Sequence, residues 1–503
     1  LDSVPESIVR RQLLIPISKK GNTLTIAMSD PFNIFAVDDL KLMTGFDIEV
    51  VICSEKEIKE AIEKYYAAKG SIEDVLKDIE TTTTETDLEL VKEKDAGMDI
   101  TSLEMAGEEA PVIKLVNYIL SGAIKKKASD IHVEPYEKNL RVRYRIDGVL
   151  HEQQNPPKKL QNAIISRIKI MSKLDISEHR LPQDGRVKIK IMDREVDLRV
   201  SVLPTSFGEK IVIRILDSSA LCLDLSKLGF EPETLAILQK NIKAPFGINL
   251  VTGPTGSGKS TTLYSCLSTL NHPDINISTI EDPVEFVIDG INQVQVRPDI
   301  GLTFSAGLRS FLRQDPNIIL VGEIRDSETA EIAINAALTG HLVFATLHTN
   351  DAPGAITRLT NMGVEPFLTS STVIMVVAQR LIRTICKNCK EPYEIPYENI
   401  AVVGVKPEQV QNKKAVTLYR GKGCENCSKG YKGRLGIYEV FEMNDEIREV
   451  ILKKAPAHIV RQAARKSGMM SLRESALRKL ISGFTTVEEV LRVTAGDVDI
   501  ETI

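Results

Sequence analysis

Apolar residues change their spacing four times along this chain, and each change marks a different kind of segment. In residues 1–69, Ser54 and Glu57 form a capping-box pair ahead of the helical stripe Ile58, Ile62 and Tyr65, so a small α/β domain is expected. From 70 to 110 large apolar residues become scarce, and acids with four consecutive threonines, Thr81–Thr84, take over. Such a segment cannot bury enough surface to fix itself, which predicts an acidic flexible linker, with Ile72–Ile79 open to a helical extension. Periodicity returns with Ile113, Val116, Ile119, Leu120 and Ala123, a helical stripe. Strict alternation follows in Arg141–Ile146, ending at the turn Asp147-Gly148, and again in Val187–Ile191, Val196–Val200 and Lys210–Ile215. Residues 111–217 therefore read as an antiparallel α+β domain with one wetted face.

After a connector at 218–230 the pattern becomes buried β runs alternating with helices: Ile248–Thr252, Ile275–Ile280, Ile318–Val321 and Leu342–Thr346. That is a parallel-sheet α/β core, which binds ligands at the carboxyl ends of its strands. Beyond Val440 the chain reads as helical, with Thr486 and Glu489 as a further capping box.

A chain of 503 residues exceeds one ordinary core, so several domains are expected. A net charge of −5 argues against a general nucleic-acid binder, which would show a basic face. The longest apolar stretch, Val373–Ala378, falls far short of the roughly 20 residues a membrane helix needs. No secretory signal opens the sequence, and because it begins at Leu1 an upstream segment is expected. Seven cysteines, four of them in two C-x-x-C pairs, suggest a reducing compartment and a metal site.

The most informative segment is Gly253-Pro254-Thr255-Gly256-Ser257-Gly258-Lys259-Ser260. It follows an apolar run and opens an apolar-periodic helix at Thr261, the strand–loop–helix context a phosphate cradle requires. Its glycines let successive N–H groups and a helix N-terminus close on an anion. Lys259 would neutralise β- and γ-phosphate charge, and the Ser260 hydroxyl would sit on Mg²⁺. A nucleoside triphosphate is the expected ligand.

Ile318–Val321 ends in Gly322-Glu323. In P-loop enzymes such a strand is expected beside the phosphate loop, so Glu323 can orient and polarise the attacking water; the alternative is a cap on the next helix. Gly322 stands where a magnesium-contacting aspartate is usual. Glu281, Asp282 and Glu285 follow a second buried strand, either lined up for Mg²⁺ or for Glu323's water, or forming a solvated turn. His341 and His348 bracket the next strand as candidates to sense or relay nucleotide state. Arg309 and Arg313 fall four apart on a helix and face one way. Arg199 and Arg214 lie on polar strand faces; composition alone does not choose them over Arg141, Arg143 and Arg145. Cys386-x-x-Cys389 and Cys424-x-x-Cys427 offer four thiolates in two knuckles, suited to a structural tetrahedral Zn²⁺, with redox dithiols as the rival. Cys53, Cys222 and Cys266 read as packing residues.

Four of these segments carry a family resemblance. Gly253–Ser260, Thr279–Glu285, Leu312–Asn317 with Val321–Asp326, and Thr339–Asn350 are similar, in order and spacing, to the Walker A, Asp, Walker B and His boxes of the secretion ATPases that serve type II secretion and type IV pili. Ala128–Pro135, Arg145–Gly148 and Pro182–Arg186 agree. The chain most resembles the type IV pilus assembly (extension) branch, the PilB type. Retraction ATPases lack both the N-terminal domain and the tetracysteine insert; type II secretion ATPases share them.

The resemblance implies an α/β architecture: a RecA-like P-loop ATPase domain over 231–503, carrying a zinc insert at 384–430 and C-terminal helices, preceded by a PAS-like α+β domain. ATP and Mg²⁺ are implied between these two domains, with phosphate-contacting arginines at Arg199 and Arg214 and further nucleotide positions at Arg309, Arg313 and Arg434. It also implies a ring-shaped homohexamer at the cytoplasmic face of a bacterial inner membrane. There, ATP hydrolysis rotates the domains and drives pilus extension, with an inner-membrane platform protein and pilus assembly proteins as partners and no nucleic acid. Residues 1–69 resemble part of a module that in some relatives binds cyclic di-GMP. A RecA-like nucleic-acid motor is the rival of another class, against which stands the lack of a basic, aromatic-rich surface; a non-hydrolysing, nucleotide-controlled scaffold is another.

Overall fold

The computed structural model describes residues 110–495 apart from 192–193, 217–222 and 412. It also describes the pair 89–90 and, within the first 61 residues, 4, 8–9, 13–21, 23–29, 33, 36–37, 40–41, 44–55, 57–58 and 61. The first domain holds a three-stranded sheet of β1 (Leu14–Lys20), β2 (Thr23–Met28) and β3 (Asp47–Ile52), in which β1–β2 is antiparallel and β2–β3 parallel. Ser54 and Glu57 exchange the reciprocal bonds of a capping box, and Ile58 is buried against Leu14, Ile26 and Leu40. Ile62, Tyr65, Thr81–Thr84 and Ile72–Ile79 lie outside the described residues. Glu89–Leu90 (β4) pairs with β8 of the next domain.

The second domain is a seven-stranded antiparallel sheet in the order β4-β8-β9-β10-β5-β6-β7. Its strands are β5 (Asp130–Pro135), β6 (Leu140–Ile146), β7 (Val149–Glu152), β8 (Gln183–Ile191), β9 (Arg194–Thr205) and β10 (Gly208–Leu216). Helices α1 (Ala110–Lys125) and α2 (Gln161–Met171) cover one face, where Leu115, Ile119, Ile164, Ile168, Val142, Val200 and Ile213 form the core. The alternation read from Arg141 to Ile146 puts Val142 and Tyr144 inside and the arginines on the other face.

The third domain is built on a sheet ordered β13-β12-β14-β15-β11-β16-β19. The strands are β11 (Gly247–Thr252), β12 (Ile277–Glu281), β13 (Asn292–Gln295), β14 (Ile318–Val321), β15 (Leu342–Leu347), β16 (Val373–Ile385) and β19 (Tyr431–Glu442). All neighbours are parallel except β16–β19. Apolar clusters bury both faces, as the continuous apolar runs require. One expectation is corrected here: β14 does not lie beside the phosphate-loop strand, because β15 stands between them. The insert is the hairpin β17 (Lys390–Pro396) and β18 (Ala415–Gly421). Thr486 caps the helix Val487–Thr494, accepting from the Glu489 amide, but the reciprocal half of the expected box is absent. The Glu489 carboxylate is instead buried and taken by Arg383 and Arg492. Among the described residues no helix is long and apolar enough to cross a membrane.

Candidate active site

Strand β11 ends at Thr252, and the chain passes through Gly253–Gly258 into the helix Lys259–Leu270. Gly253 holds φ +143°, and a Cβ there would lie 2.5 Å from the Gln379 carbonyl oxygen, so glycine alone lets the loop lie against β16. Gln379, buried on β16, donates from Nε2 to the Ser257 carbonyl at 2.8 Å and props the loop from below. Sequence reasoning missed it; its only signal is an amide inside an apolar run. Pro254, Thr255, Gly256 and Ser260 are exposed, Gly258, Lys259 and Thr261 half-buried, and Gly253 and Ser257 buried.

Lys259 Nζ curls back to the carbonyls of Gly253 (2.8 Å) and Pro254 (3.2 Å). Burial depresses its pKa, and the Glu323 charge opposes that shift, so the two groups lie within electrostatic reach. Glu323, just past β14, accepts from Arg325 Nε at 2.7 Å and lies 3.0 Å from His348 Nε2. His348 follows β15, so the interposed strand itself bridges the gap between Glu323 and the phosphate loop. Arg325 also reaches Asp282 at 3.3 Å; only its place in the Walker B segment marked it beforehand. His341 stands at the opposite end of β15 with Nδ1 2.9 Å from the Ala336 carbonyl, away from this edge.

The expectation that Glu281, Asp282 and Glu285 line up for Mg²⁺ or for Glu323's water, or else form a solvated turn, is corrected for Glu281. Glu281 is the last residue of β12 and is buried, accepting from Tyr264 Oη, Thr279 Oγ1 (2.6 Å) and Gln293 Nε2 (3.2 Å). Burial, reinforced by Glu281, pushes the Tyr264 phenol upward, and its oxygen accepts from the Glu285 amide at 3.3 Å. Glu281 thus fixes the loop 282–285 rather than facing outward. Glu285 pairs with Arg199 Nη1 at 3.0 Å, while Arg199 Nη2 donates to the Val284 carbonyl at 2.7 Å. So Arg199 crosses from the second domain onto the carboxyl edge of the third-domain sheet. Arg214 pairs with Asp130 at 3.4 Å within its own domain. Arg309 pairs with Glu328, Arg313 bonds back to the Arg309 carbonyl, and Arg434 lies 3.9 Å from Asp147. Within the single chain these three do not bond to the phosphate loop.

The four insert thiols converge at the ends of β16, β17, β18 and β19. Sγ–Sγ separations are 3.8 Å (Cys386–Cys424), 3.7 Å (Cys389–Cys427) and 3.6 Å (Cys424–Cys427). Zn–S bonds of about 2.3 Å give a tetrahedral edge of about 3.8 Å, so the donor set fits Zn²⁺. Amide N–H groups of Gly423 and Cys424 point at the sulfurs, as a thiolate cage requires. This lobe meets the second domain: Gly433 N donates to Asp147 Oδ2 at 2.8 Å, and Ser428 Oγ lies 3.2 Å from the His151 ring. Cys53 and Cys266 lie outside this cluster; burial lifts the Cys266 thiol to about 12, and Cys222 is not among the described residues.

Comparison with known proteins follows the same lines. The profile of the Type II/IV secretion system protein family matches residues 105–492, and that of the MshEN domain matches residues 1–72. The chain is 55% identical over 498 residues to the type IV pilus assembly ATPase PilB of Myxococcus xanthus, covering 98% of this chain and 86% of that protein. It is 46% identical over 482 residues to the type II secretion system protein E of Xanthomonas campestris, covering 96% and 83%. Among solved structures it is similar to the pilus retraction motor PilT with bound ADP, at 25% identity and a TM-score of 0.52, over 77% of this chain and 98% of that one.

Proposed function

The chain belongs to the type II/IV secretion ATPase family, in its PilB-type pilus-assembly branch, and from that premise we propose that it drives type IV pilus extension by hydrolysing ATP between its second and third domains. One observation carries the mechanism: at the carboxyl edge of one sheet Glu323 pairs with His348 and lies within electrostatic reach of Lys259, and Arg199 reaches onto the same edge from the neighbouring domain.

Residues 253–258, Lys259 and Thr261 hold the triphosphate, Lys259 leaving its own loop carbonyls for the phosphate oxygens. Mg²⁺, for which the exposed Ser260 hydroxyl is the available ligand, supplies charge neutralisation when bound. Glu323 aims the attacking water and takes its proton, while His348 holds the carboxylate and reads its state. Arg199 and Arg214 meet the terminal phosphate when the second domain closes. Arg309, Arg313 and Arg434 are assigned to sites completed by neighbouring protomers of a homohexamer. ATP needs only to bind the closed arrangement better than the open one for hydrolysis to swing the domains. The working place is the cytoplasmic face of the inner membrane, against a platform protein and without nucleic acid. Residues 1–72, which match the MshEN profile, are assigned cyclic di-GMP binding; isothermal titration that detects no heat with this ligand would remove that assignment.

A second reading, pseudopilus assembly in type II secretion, is favoured by the 46% identity to the Xanthomonas protein. Deleting the gene separates the two. Loss of surface pili with secreted enzymes intact is the expected result, and the reverse phenotype transfers the protein to secretion.

A further inference from the structure

The wetted face of the second-domain sheet carries a cross-strand row of charged side chains. Arg186, Arg199 and Arg214 are direct register partners on β8, β9 and β10, and the row continues through Asp130 on β5 to Arg145 on β6. Like charges directly opposite on adjacent strands repel. Four guanidiniums on this row meet two carboxylates: Asp130, which takes Arg214 and Arg145 at 3.4 Å each, and Glu285, which reaches Arg199 from the third domain. Asp184 and Asp197 lie on the flanking rows, opposite Ser201 and Lys188. The row therefore carries a positive surplus.

Arg186 has a loose tie. Its Nη2 lies 3.4 Å from Gln295 Oε1, an amide at the end of β13 across the domain boundary. Gln295 is the register partner of Glu281, so Arg186 faces the carboxyl edge of the sheet that also bears the phosphate loop and Glu323. Arg199 is half-buried between Arg186 and Arg214. Burial first, with the charges of both neighbours, presses its pKa down against the pull of Glu285 and Asp197.

We propose that Arg186 is a third phosphate-facing guanidinium, taking the terminal phosphate of ATP beside Arg199 and Arg214 when the second domain closes. This deepens the function proposed above and rests on it. A terminal phosphate brings the negative charge that the row lacks, and a guanidinium fork engages its oxygens in pairs. Glu285 occupies the anion's place on Arg199 until a phosphate displaces it.

The test uses the full chain with Arg186→Ala and Arg186→Lys, and titration of ADP and of ATPγS by calorimetry. Arg186→Ala should weaken ATPγS by about tenfold, the scale of one lost charge-assisted bond, and leave ADP binding and melting temperature unchanged. Arg186→Lys should recover part of the loss, keeping the charge without the fork. Equal weakening of ADP and ATPγS, or no change in either, overturns the inference. If the wild-type chain binds neither nucleotide, the ATPase mechanism fails first and takes this inference with it.

Discussion

Replacing Glu323 by glutamine removes one charge and keeps the side-chain shape. The amide oxygen still accepts from Arg325 Nε, which lies 2.7 Å away, and the amide group still faces His348. Both partners are about half-exposed, so the Arg325 ion pair and the His348 contact are worth about 0–1 kcal/mol each and the melting temperature should hardly move. Turnover should fall far more. A positioned general base contributes roughly 10²–10⁴-fold, or about 3–5 kcal/mol of barrier. Binding should move the other way, because a negative charge that acts on Lys259 also repels phosphate oxygens. The assay is phosphate release at saturating ATP beside equilibrium binding of ATPγS. Wild-type turnover in a variant that binds nucleotide normally refutes the role given to Glu323.

Three further outcomes are expected. Gln379→Ala removes the prop under Ser257 and should weaken ATP binding by about tenfold while leaving the rate at saturation intact, read as KM rising without kcat. Cys424→Ser, or chelation, should release one metal per chain by elemental analysis and expose the 384–430 lobe to protease while the parallel sheet stays protected. Glu489→Ala should cost about 3–5 kcal/mol in chemical denaturation, because it strands Arg383 in a largely buried place. The same group sets an acid limit. Burial would raise its carboxyl, yet bonds from Arg492 and Arg383 carry it down to about 2. A depressed carboxylate stabilises the fold above its unfolded pKa of about 4.3 and loses that stabilisation as pH falls toward the folded value. The C-terminal helix should accordingly loosen between about pH 4 and 2, followed by hydrogen exchange.

Period-2 and period-3.6 patterns made the second domain and the core strands of the third legible, because burial on one face or both leaves a direct trace in residue order. The phosphate loop was legible for a different reason: its backbone demands glycine at fixed places. Strand order left no such trace. Nothing local says that β15 inserts between β14 and β11, so Glu323 was expected one strand nearer the loop than it stands. Glu281 shows the other limit. A carboxylate at a strand end reads the same whether it turns outward or, as here, is absorbed by Tyr264, Thr279 and Gln293 from three different elements. Gln379 and Arg325 were passed over because their importance comes from what packs against them, not from their neighbours in sequence.

The second domain is fastened to the third in two unlike ways. At the tetracysteine lobe a peptide N–H of Gly433 donates to Asp147 at 2.8 Å. At the far sheet edge the fastening is a guanidinium on Glu285, a carboxylate that any stronger anion can evict. A door hung this way has a pin on one jamb and a magnetic catch on the other. On the function proposed above, the domains would swing about the first fastening when an anion releases the second.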